Sequence, residues 1–528
     1  MKLKEKLLGI SNRYLKVFKR FPISFSASLV FTCICIYSII TIDNINDEVA
    51  YAIASCGLVM IWGLLLELAS EYGFSKFNKV VNCIISIVIA VTNFFVLNNF
   101  TNDYITLAET GIFAAGICLV MALLYKYNNE KEMFPWIIHS FFYSTIATTV
   151  VFVGLLICLL AFNFLIYSID ELYKLVLILA DLCEVFALYN LFISFIPEKG
   201  QEMPISNMHR SIIHKLLFYV YILLVGILYL YIAKIIITWK MPVGVLNWFG
   251  SLTLLFYVFF QLNLLGEDNS LQGWFKKFGG LAIIPILLVQ LFAIYIRLNS
   301  YGLTSVRYLS LVLILIAMLF IINSQLKKNY ALVFAVTAVI MGIITISPLN
   351  IFNVPNWNQE AILKKALLES GVLADGELNI KKVEDLSEEQ KDKIVGAYDY
   401  LRYSQGNKSE FVNMVLDSEL RRTIYKKDSP ATSSYLYYHE DISKAYDIHD
   451  YKTVEHVYSQ DVTNIAGFDC SDLVNLWIKK NTEGKTMTSP VELILPEAKI
   501  LFVNLDISYN IGDLNIKKAY IEAYVFRK

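Results

Sequence analysis

Apolar runs of about 20 residues fill residues 23–347, and they constrain the fold more than any other feature. A helix needs about 20 mostly apolar residues to cross a bilayer. We predict eleven membrane spans, near residues 23–42, 49–66, 80–97, 104–125, 143–167, 172–196, 216–237, 245–264, 279–298, 305–324 and 330–347. Residues 134–167 contain no Asp, Glu, Lys or Arg and are too long for one upright helix, so they form either one tilted span or two.

The basic residues predict the orientation of these spans. Of the 23 Lys and Arg residues before Pro348, 18 fall in the N-terminal segment and the connections on its side, and 5 fall on the other side. Positive charge accumulates on the cytoplasmic side of membrane proteins. We therefore expect the N-terminus in the cytoplasm and the C-terminal region outside the cell membrane.

Three regions follow from charge and periodicity. Residues 1–22 have the pattern of an amphipathic helix at the cytoplasmic interface, and residues 23–347 are the all-α membrane domain. Residues 348–528 hold 22 Lys and Arg against 28 Asp and Glu, and predict an extracytoplasmic α+β domain with helices first and then an antiparallel sheet. The helices are expected over 358–370, 387–402 and 409–422, and the strands over 433–439, 452–460, 490–496, 498–507 and 517–526.

Asp181 and Glu184 form a polar pair deep in the sixth predicted span, three residues apart. A charge at the centre of a bilayer costs about 2.5–3.5 kcal/mol on insertion scales, so charged residues at this depth usually have a specific role. One interpretation is a proton or cation site, or a partner for an arginine. The other is a structural pair that neighbouring hydroxyl groups satisfy.

The segment "IRLNSYGLTSVRYL" (296–309) holds two of the five basic residues expected outside. Arg297 and Arg307 flank a short turn, and with Tyr301 and Thr304 they are a candidate site for a phosphate, a carboxylate or a lipid headgroup. The competing interpretation is that both arginines anchor helix ends at the interface. Gly302 is predicted to have a positive φ in this turn.

Several classes of protein are disfavoured. No P-loop, nucleophile elbow, HExxH or kinase signature occurs, and no basic aromatic patch points to nucleic acid. Seven of the eight cysteines lie in apolar runs, and Cys470 has no obvious activating base. Three histidines near acids, at 439, 449 and 456, are more typical of polar strands and turns than of a metal site, so we predict no metal and no cofactor.

The stretch "YGLTSVRY" (301–308) and the segment that follows the last predicted span both resemble motifs of one family. They are similar to a bacterial multi-pass membrane family known as domain of unknown function 4153. The first resembles the family's Tyr-Gly-x-Thr-x-x-Arg-Tyr loop, and the second matches the family at Pro348, Val354, Gln359, Leu367, Gly371 and Gly376. Pro355 and Asn358 stand where the family has serines. "NIAGFDCSDL" is similar to an Ile-x-Gly-Tyr/Phe-Asp turn and contributes Gly467 and Asp469. The resemblance implies an arrangement of the fold and no activity.

The sequence leaves three functions open. The first is a non-enzymatic protein of the cell envelope whose outward domain binds a ligand, an envelope protein or a lipid headgroup; the absence of catalytic motifs favours it. The second is a secondary transporter that uses Asp181 and Glu184. The third is an outer-leaflet enzyme acting on phospholipid or lipid-linked substrates, with Arg297 and Arg307 holding phosphate.

Overall fold

The structure is a computed structural model of the 528-residue chain. It describes residues 14–41, 47–74, 78–100, 102–128, 130–167, 169–201, 207, 210–238, 245–264, 271–326, 329–374, 376–418, 420, 423–424, 434–439, 451–459, 465, 467–482, 492–509 and 516–527. The chain forms two compact units. The helical unit comprises Met1–Glu369 and Glu388–Leu416, and the sheet unit comprises Ser370–Ser387 and Asp417–Lys528.

The helical unit consists mainly of apolar helices. In the described ranges they are α1 (Pro22–Thr41), α2 (Asp47–Glu71), α3 (Lys79–Asn99), α4 (Asp103–Tyr127), α5 (Glu130–Leu165), α6 (Leu172–Ile193), α7 (Arg210–Thr238), α8 (Val245–Asn263), α9 (Leu271–Tyr301), α10 (Ser305–Gln325) and α11 (Tyr330–Thr345). Nine of these helices are long and apolar enough to cross a membrane; α8 and the 16-residue α11 are the other two. The chain is therefore a multi-pass membrane protein, and the number of eleven spans stays a prediction.

The long apolar run that begins at residue 134 forms one helix rather than two, and this helix ends at Leu165. Residues 130–165 run continuously as α5, with Pro135 inside it. A helix of 36 residues is about 54 Å long, well beyond the roughly 30 Å of a hydrocarbon core, so α5 must tilt or extend past the apolar layer. Residues 14–20 are also helical, and the first 13 residues of the predicted amphipathic helix lie outside the described residues.

Local sequence explains where several helices begin. Asn78, Asn102 and Asn329 are N-cap residues, and the side chain of each accepts a hydrogen bond from the amide three residues later, at 2.9, 3.0 and 3.1 Å. These caps satisfy amides that have no partner within the helix. The asparagines of the polar connections therefore set the starts of α3, α4 and α11.

One glycine sets a close helix contact. A Cβ on Gly111 of α4 would lie 1.8 Å from the hydroxyl oxygen of Thr345 at the end of α11. The two backbones approach so closely because glycine has no side chain, a device common where membrane helices pack. This contact holds the last apolar helix against α4.

After α11 the chain continues in the helical unit. Three further helices are α12 (Asn353–Glu369), α13 (Glu388–Tyr403) and α14 (Glu410–Asp417). The bounds of α13 are within one residue of the prediction, whereas α12 begins and α14 ends about five residues earlier than predicted. The division between the two compact units falls after Glu369, and residues 388–416 belong with the apolar helices. Two of these helices position the site described below.

The sheet unit contains a five-stranded antiparallel sheet and a helix. The elements are β1 (Leu373–Ala374), β2 (Glu377–Leu378), β3 (Ser434–His439), β4 (Thr453–Ser459), α15 (Ser471–Thr482), β5 (Glu492–Ile494), β6 (Ala498–Tyr509) and β7 (Ile516–Arg527). The sheet order is β3-β6-β7-β4, β5 also pairs with β6, and β1 and β2 form a separate ladder. All five predicted strands are observed.

The core of the sheet unit follows from strand alternation. Ile500 and Phe502 of β6 belong to the hydrophobic core that includes Trp477, and after a register shift between Phe502 and Asn504 the core positions become Leu505 and Ile507. Such a bulge moves the alternation by one residue. Trp477 of α15 packs edge-on against Phe502, with ring centroids 5.0 Å apart. The helix thereby covers the apolar face of the sheet.

Candidate functional site

The turn between α9 and α10 lies against the helices that follow the last apolar helix. Gly302 is buried with φ +70°, the positive φ expected from the sequence. A Cβ at this position would lie 2.4 Å from Ile362 Cδ1 and 2.7 Å from Gln359 Nε2, both on α12. Only glycine fits, because a side chain would be strained by the backbone and would also collide with α12.

Side chains of α12 hold the backbone of this turn. Gln359 is 1% exposed, and its Nε2 donates to the carbonyl oxygens of Tyr301 and Leu303, at 2.9 Å each. The amide of Leu303 donates to Asn358 Oδ1 at 2.6 Å. The Tyr-Gly-x-Thr stretch and the Gln359 stretch, which are separate motifs in the sequence, are therefore parts of one hydrogen-bonded contact.

Helix α13 supports the same turn from another direction. The hydroxyl of Tyr400 accepts from the Ser305 amide at 3.2 Å and lies 3.0 Å from Ser305 Oγ. Ser305 Oγ also lies 3.0 Å from the Ile351 carbonyl, and Tyr308 donates to the Leu349 carbonyl at 2.6 Å. The first turn of α10 is thus joined to the segment between α11 and α12.

The two arginines have different surroundings. Arg307 donates to the Gly302 carbonyl, and its guanidinium lies 5.9 Å from the centre of the Tyr301 ring. Arg297 is half-buried in the last turns of α9. Thr304 is the N-cap residue of α10, although its side chain makes no capping hydrogen bond. Arg307 therefore contributes to closing the turn, and anion binding by Arg297 and Arg307 stays a prediction.

A cleft of about 600 Å³ lies between the segment after α11, α12 and the loop before α14. Its lining is rich in amides and hydroxyls: Tyr104, Ile346, Ser347, Pro348, Asn350, Asn353, Asn356, Trp357, Glu360, Leu401, Asn407, Lys408, Ser409 and Val412. Pro348, predicted from the family resemblance, is one of these residues; its carbonyl accepts from Asn353 Nδ2 at 3.2 Å. We call this cavity the amide cleft.

Several polar groups of the amide cleft bond to one another. Tyr104 donates to Asn353 Oδ1 at 2.7 Å, and Ser409 donates to Glu360 Oε1 at 2.7 Å. Asn356 differs: its Nδ2 donates to the Gln405 carbonyl at 3.0 Å, but its Oδ1 is buried with no hydrogen-bond partner among the described residues. Asn356 lines the cleft, and a buried acceptor without a partner is costly.

Asp181 and Glu184 lie in a π-helical turn, Asp181–Ala187, within α6. Asp181 Oδ2 and Glu184 Oε1 have no hydrogen-bond partner among the described residues. The hydroxyl of Thr148 lies 3.4 Å from Glu184 Oε2 but closer, at 3.0 Å, to the carbonyl of Ser144. A neighbouring hydroxyl therefore satisfies the pair only in part among the described residues. Single π-turns are frequent at functional sites, and a proton or ion site here stays a prediction.

The third predicted motif has a structural role in the sheet unit. Gly467 has φ +91° in a tight turn closed by hydrogen bonds between Ile465 and Phe468 at 2.9 and 3.1 Å. Asp469 accepts from the amide of Ser471 at 2.9 Å and from its hydroxyl at 2.5 Å, and so caps α15. These hydrogen bonds lower the pKa of Asp469 below its usual value.

Cys470 and His456 are the cysteine and the histidine of the sheet unit whose side chains the structure describes. Cys470 is 1% exposed, and burial raises the pKa of its thiol to about 11, which opposes nucleophilic chemistry. His456 Nε2 lies 2.9 Å from Glu522 Oε1, and its ring stacks on Tyr524. His449 and the side chain of His439 lie outside the described residues. In the described part of the chain, no three His, Cys, Asp or Glu residues are grouped as metal ligands.

Sequence reasoning missed the role of Glu67 and of the amide cleft. Glu67 is 7% exposed and accepts from the amides of Ile23 at 2.7 Å and Ser24 at 3.4 Å, at the start of α1. A carboxylate at a helix N-terminus is stabilised by the unpaired amides there. The only signal in the sequence was an acid at the end of an apolar run. The cleft had a weaker signal, the density of asparagines from Asn350 to Asn358.

Comparison with known proteins supports the resemblance. A family model described as "Domain of unknown function (DUF4153)" matches residues 27–395, more than two thirds of the chain. The chain belongs to the DUF4153 family. The match includes the turn at Gly302 and the part of α12 that holds it, and it ends within α13.

A curated relative of this DUF4153 protein is similar over a limited region. It is "Uncharacterized protein PM1469" of Pasteurella multocida (strain Pm70), 28% identical over 194 residues. The aligned part is 34% of this chain, and the chain spans about a third of the length of the relative. No solved structure matches.

Proposed function

We propose that this DUF4153 protein is a receptor of the bacterial cell envelope that binds a small, hydroxyl-rich ligand in the amide cleft. The buried, unpaired Oδ1 of Asn356 carries the proposal, because it needs a donor that the described protein residues do not supply. Hydroxyl groups supply such donors, and the surrounding amides can donate in return.

The other lining residues fit the same class of ligand. Trp357 is 52% exposed and lines the cleft, so its ring offers an apolar face to the carbon skeleton of a polyol or sugar. Glu360 and Lys408 bring one charge of each sign. A neutral ligand therefore suits the cleft better than a strongly charged one.

The orientation of the spans supports an extracytoplasmic position for this cleft. The excess of basic residues on one side favours an N-terminus in the cytoplasm, and with eleven spans it favours an outside position for residues 348–528. A reporter fused after Lys528 and thiol labelling of Tyr403→Cys test this, since Tyr403 is 76% exposed. Labelling from the cytoplasmic side alone would overturn the orientation. The native Cys470 is too buried for this use.

Binding is tested with purified full-length protein and a panel of inositol, neutral oligosaccharides and N-acetylated amino sugars. We expect calorimetry to detect at least one of them and Trp357→Ala to weaken its binding by about tenfold or more. Leu368→Ala is the matched control, because Leu368 lies on the same helix and is also 52% exposed. Equal binding by wild type and Trp357→Ala, or binding by no compound of the panel, would contradict the proposal.

A second candidate function is secondary transport through the π-helical turn. The unpaired oxygens of Asp181 and Glu184 favour it, because carboxylates at membrane depth commonly line proton or ion pathways. Loss of proton- or sodium-driven flux in vesicles on Asp181→Asn, with Asp170→Asn of the preceding connection as the control, would support transport. Flux equal to that of the wild type would exclude a role for Asp181.

A further inference from the structure

Two adjoining cavities lie at the end of the helical unit where α1 begins. The first, about 440 Å³, is polar and is lined by Arg20, Ile23, Glu67, Ser70, Glu71, Lys79, Asn82 and Glu198. The second, about 360 Å³, is almost wholly apolar and is lined by Pro22, Ile23, Ser26, Ala27, Val30, Cys56, Val59, Lys79, Cys83, Ser86, Ile87 and Ala90. Ile23 and Lys79 line both. The cavities are therefore neighbours, a polar chamber and an apolar groove.

Hydrogen bonds and an ion pair hold the charged side chains of the polar chamber in place. Arg20 forms a bidentate pair with Glu71, with N–O distances of 2.9 and 2.8 Å, and Arg20 Nη2 also donates to the Pro197 carbonyl at 2.8 Å. Glu67 is held by the first amides of α1, and the Lys79 ammonium donates to the Lys19 carbonyl at 3.0 Å. These contacts hold charged groups of both signs at the chamber wall.

One side chain that lines this chamber has a buried polar atom without a partner among the described residues. Asn82 is 1% exposed; its Nδ2 donates to the Leu66 carbonyl at 3.3 Å and to Ser70 Oγ at 2.8 Å. A carbonyl oxygen can only accept, so the Asn82 atom that bonds to Leu66 must be the amide nitrogen. The other amide atom of Asn82 is therefore the oxygen Oδ1, and it has no hydrogen-bond partner among the described residues. One turn further along α3, the buried hydroxyl of Ser86 is also unpaired and lines the groove. A ligand with a hydrogen-bond donor would satisfy Asn82.

We propose that the chamber and the groove together bind an amine-bearing zwitterionic phospholipid, a phosphatidylethanolamine, with its headgroup in the chamber and an acyl chain in the groove. The chamber is lined by three acidic and two basic side chains, so its net charge disfavours an anionic headgroup. In a zwitterionic headgroup both charges find a partner: the phosphate lies near Lys79, and the ammonium lies near Glu67 and Glu198. A primary ammonium donates to Asn82 Oδ1; the quaternary ammonium of choline has no N–H to donate.

The groove distinguishes a lipid from a soluble amine phosphate. Its walls come from α1, α2 and α3, helices apolar enough to cross a membrane, and Ile87 and Val30 are partly exposed along it. Apolar chain burial contributes about 0.8 kcal/mol per CH2 group, so the groove adds affinity that a soluble headgroup lacks. Phosphoethanolamine alone is therefore expected to bind weakly.

Native mass spectrometry of the full-length protein, with phosphatidylethanolamine, phosphatidylcholine and phosphatidylglycerol at equal concentration, tests the proposal. We expect phosphatidylethanolamine to be retained about tenfold more than either other lipid, a preference that one charge-assisted hydrogen bond can provide. Soluble phosphoethanolamine is expected not to be retained. Equal retention of the three lipids, or retention of the soluble headgroup to the same extent, would overturn the proposal.

Two pairs of variants locate the site. Ile87→Trp fills the groove, whereas Val88→Trp on the same helix does not line it, and both native side chains are 57% exposed. Lys79→Gln removes the ammonium of the chamber, and Lys16→Gln removes an exposed charge outside it. We expect about tenfold loss of phosphatidylethanolamine retention in the first member of each pair and none in the second. Equal retention within both pairs would place the lipid elsewhere.

Discussion

The turn after α9 and the π-helical turn of α6 differ in how their polar groups are satisfied. In the turn, the carbonyls of Tyr301 and Leu303 and the amide of Leu303 are bonded to side chains of α12. In the π-helical turn, Asp181 and Glu184 each keep a carboxylate oxygen without a partner in the described part of the chain. The first arrangement is typical of a structural contact, whereas the second leaves room for the proton or ion site that stays a prediction.

The largest effect is expected at Gly302. Gly302→Ala introduces a Cβ 2.4 Å from Ile362 Cδ1 at a residue with φ +70°. Strain and collision together are expected to lower the free energy of unfolding by about 3 kcal/mol. Equilibrium unfolding in mixed micelles measures this. Gly342→Ala is the control, because nothing lies within 4 Å of the added Cβ. This variant is expected to be at least as stable as the wild type, since alanine favours an α-helix more than glycine does. Equal stabilities of the two variants would contradict a tight contact at the turn.

The next effect is expected at Gln359. Gln359→Met keeps a similar shape but removes two donors, which leaves the carbonyls of Tyr301 and Leu303 without them. A loss of about 2 kcal/mol is expected, because buried acceptors without a partner are costly. Lys365→Met on the same helix is the control, with its native side chain 75% exposed. If Gln359→Met unfolds at the same denaturant concentration as the control, the amide does not hold the turn.

Asp181 is expected to respond in the opposite way. Asp181→Asn removes a charge that the described structure leaves partly unpaired, so stability is expected to stay equal or to rise by about 1 kcal/mol. The same unfolding assay measures it. A loss of 2 kcal/mol or more would show that the carboxylate is satisfied in the folded protein, and the contrast with the turn at Gly302 would disappear.

The smallest effect is expected at Asp469 of the sheet unit. Because hydrogen bonds from Ser471 lower its pKa in the folded protein, its contribution to stability is present above the usual value of 3.8 and is lost as the pH falls through the lowered pKa. Below pH 4 the melting temperature of the sheet unit should therefore fall slightly more in the wild-type protein than in Asp469→Asn, with both measured in the full chain. An identical acid dependence of both proteins would exclude this cap as a contributor.

The sequence alone determined the class of the protein and most of its local structure. Apolar runs predicted the helices, alternation predicted the strands, and Gly302 was expected in a turn with positive φ. These features depend on neighbours within a few residues, because helix and strand periods are local. The family resemblance also came from short stretches, and the match over residues 27–395 agrees with it.

Only the tertiary structure decided which of these stretches meet. Gln359 bonds to carbonyls 58 and 56 residues earlier in the chain, and the chamber joins Arg20, Lys79 and Glu198 from three separate segments. The π-helical turn at Asp181 was equally hidden, because its sequence has no distinct pattern. Such contacts depend on how helices pack and on which polar atoms then lack a partner, and neither follows from the spacing of residues along one segment.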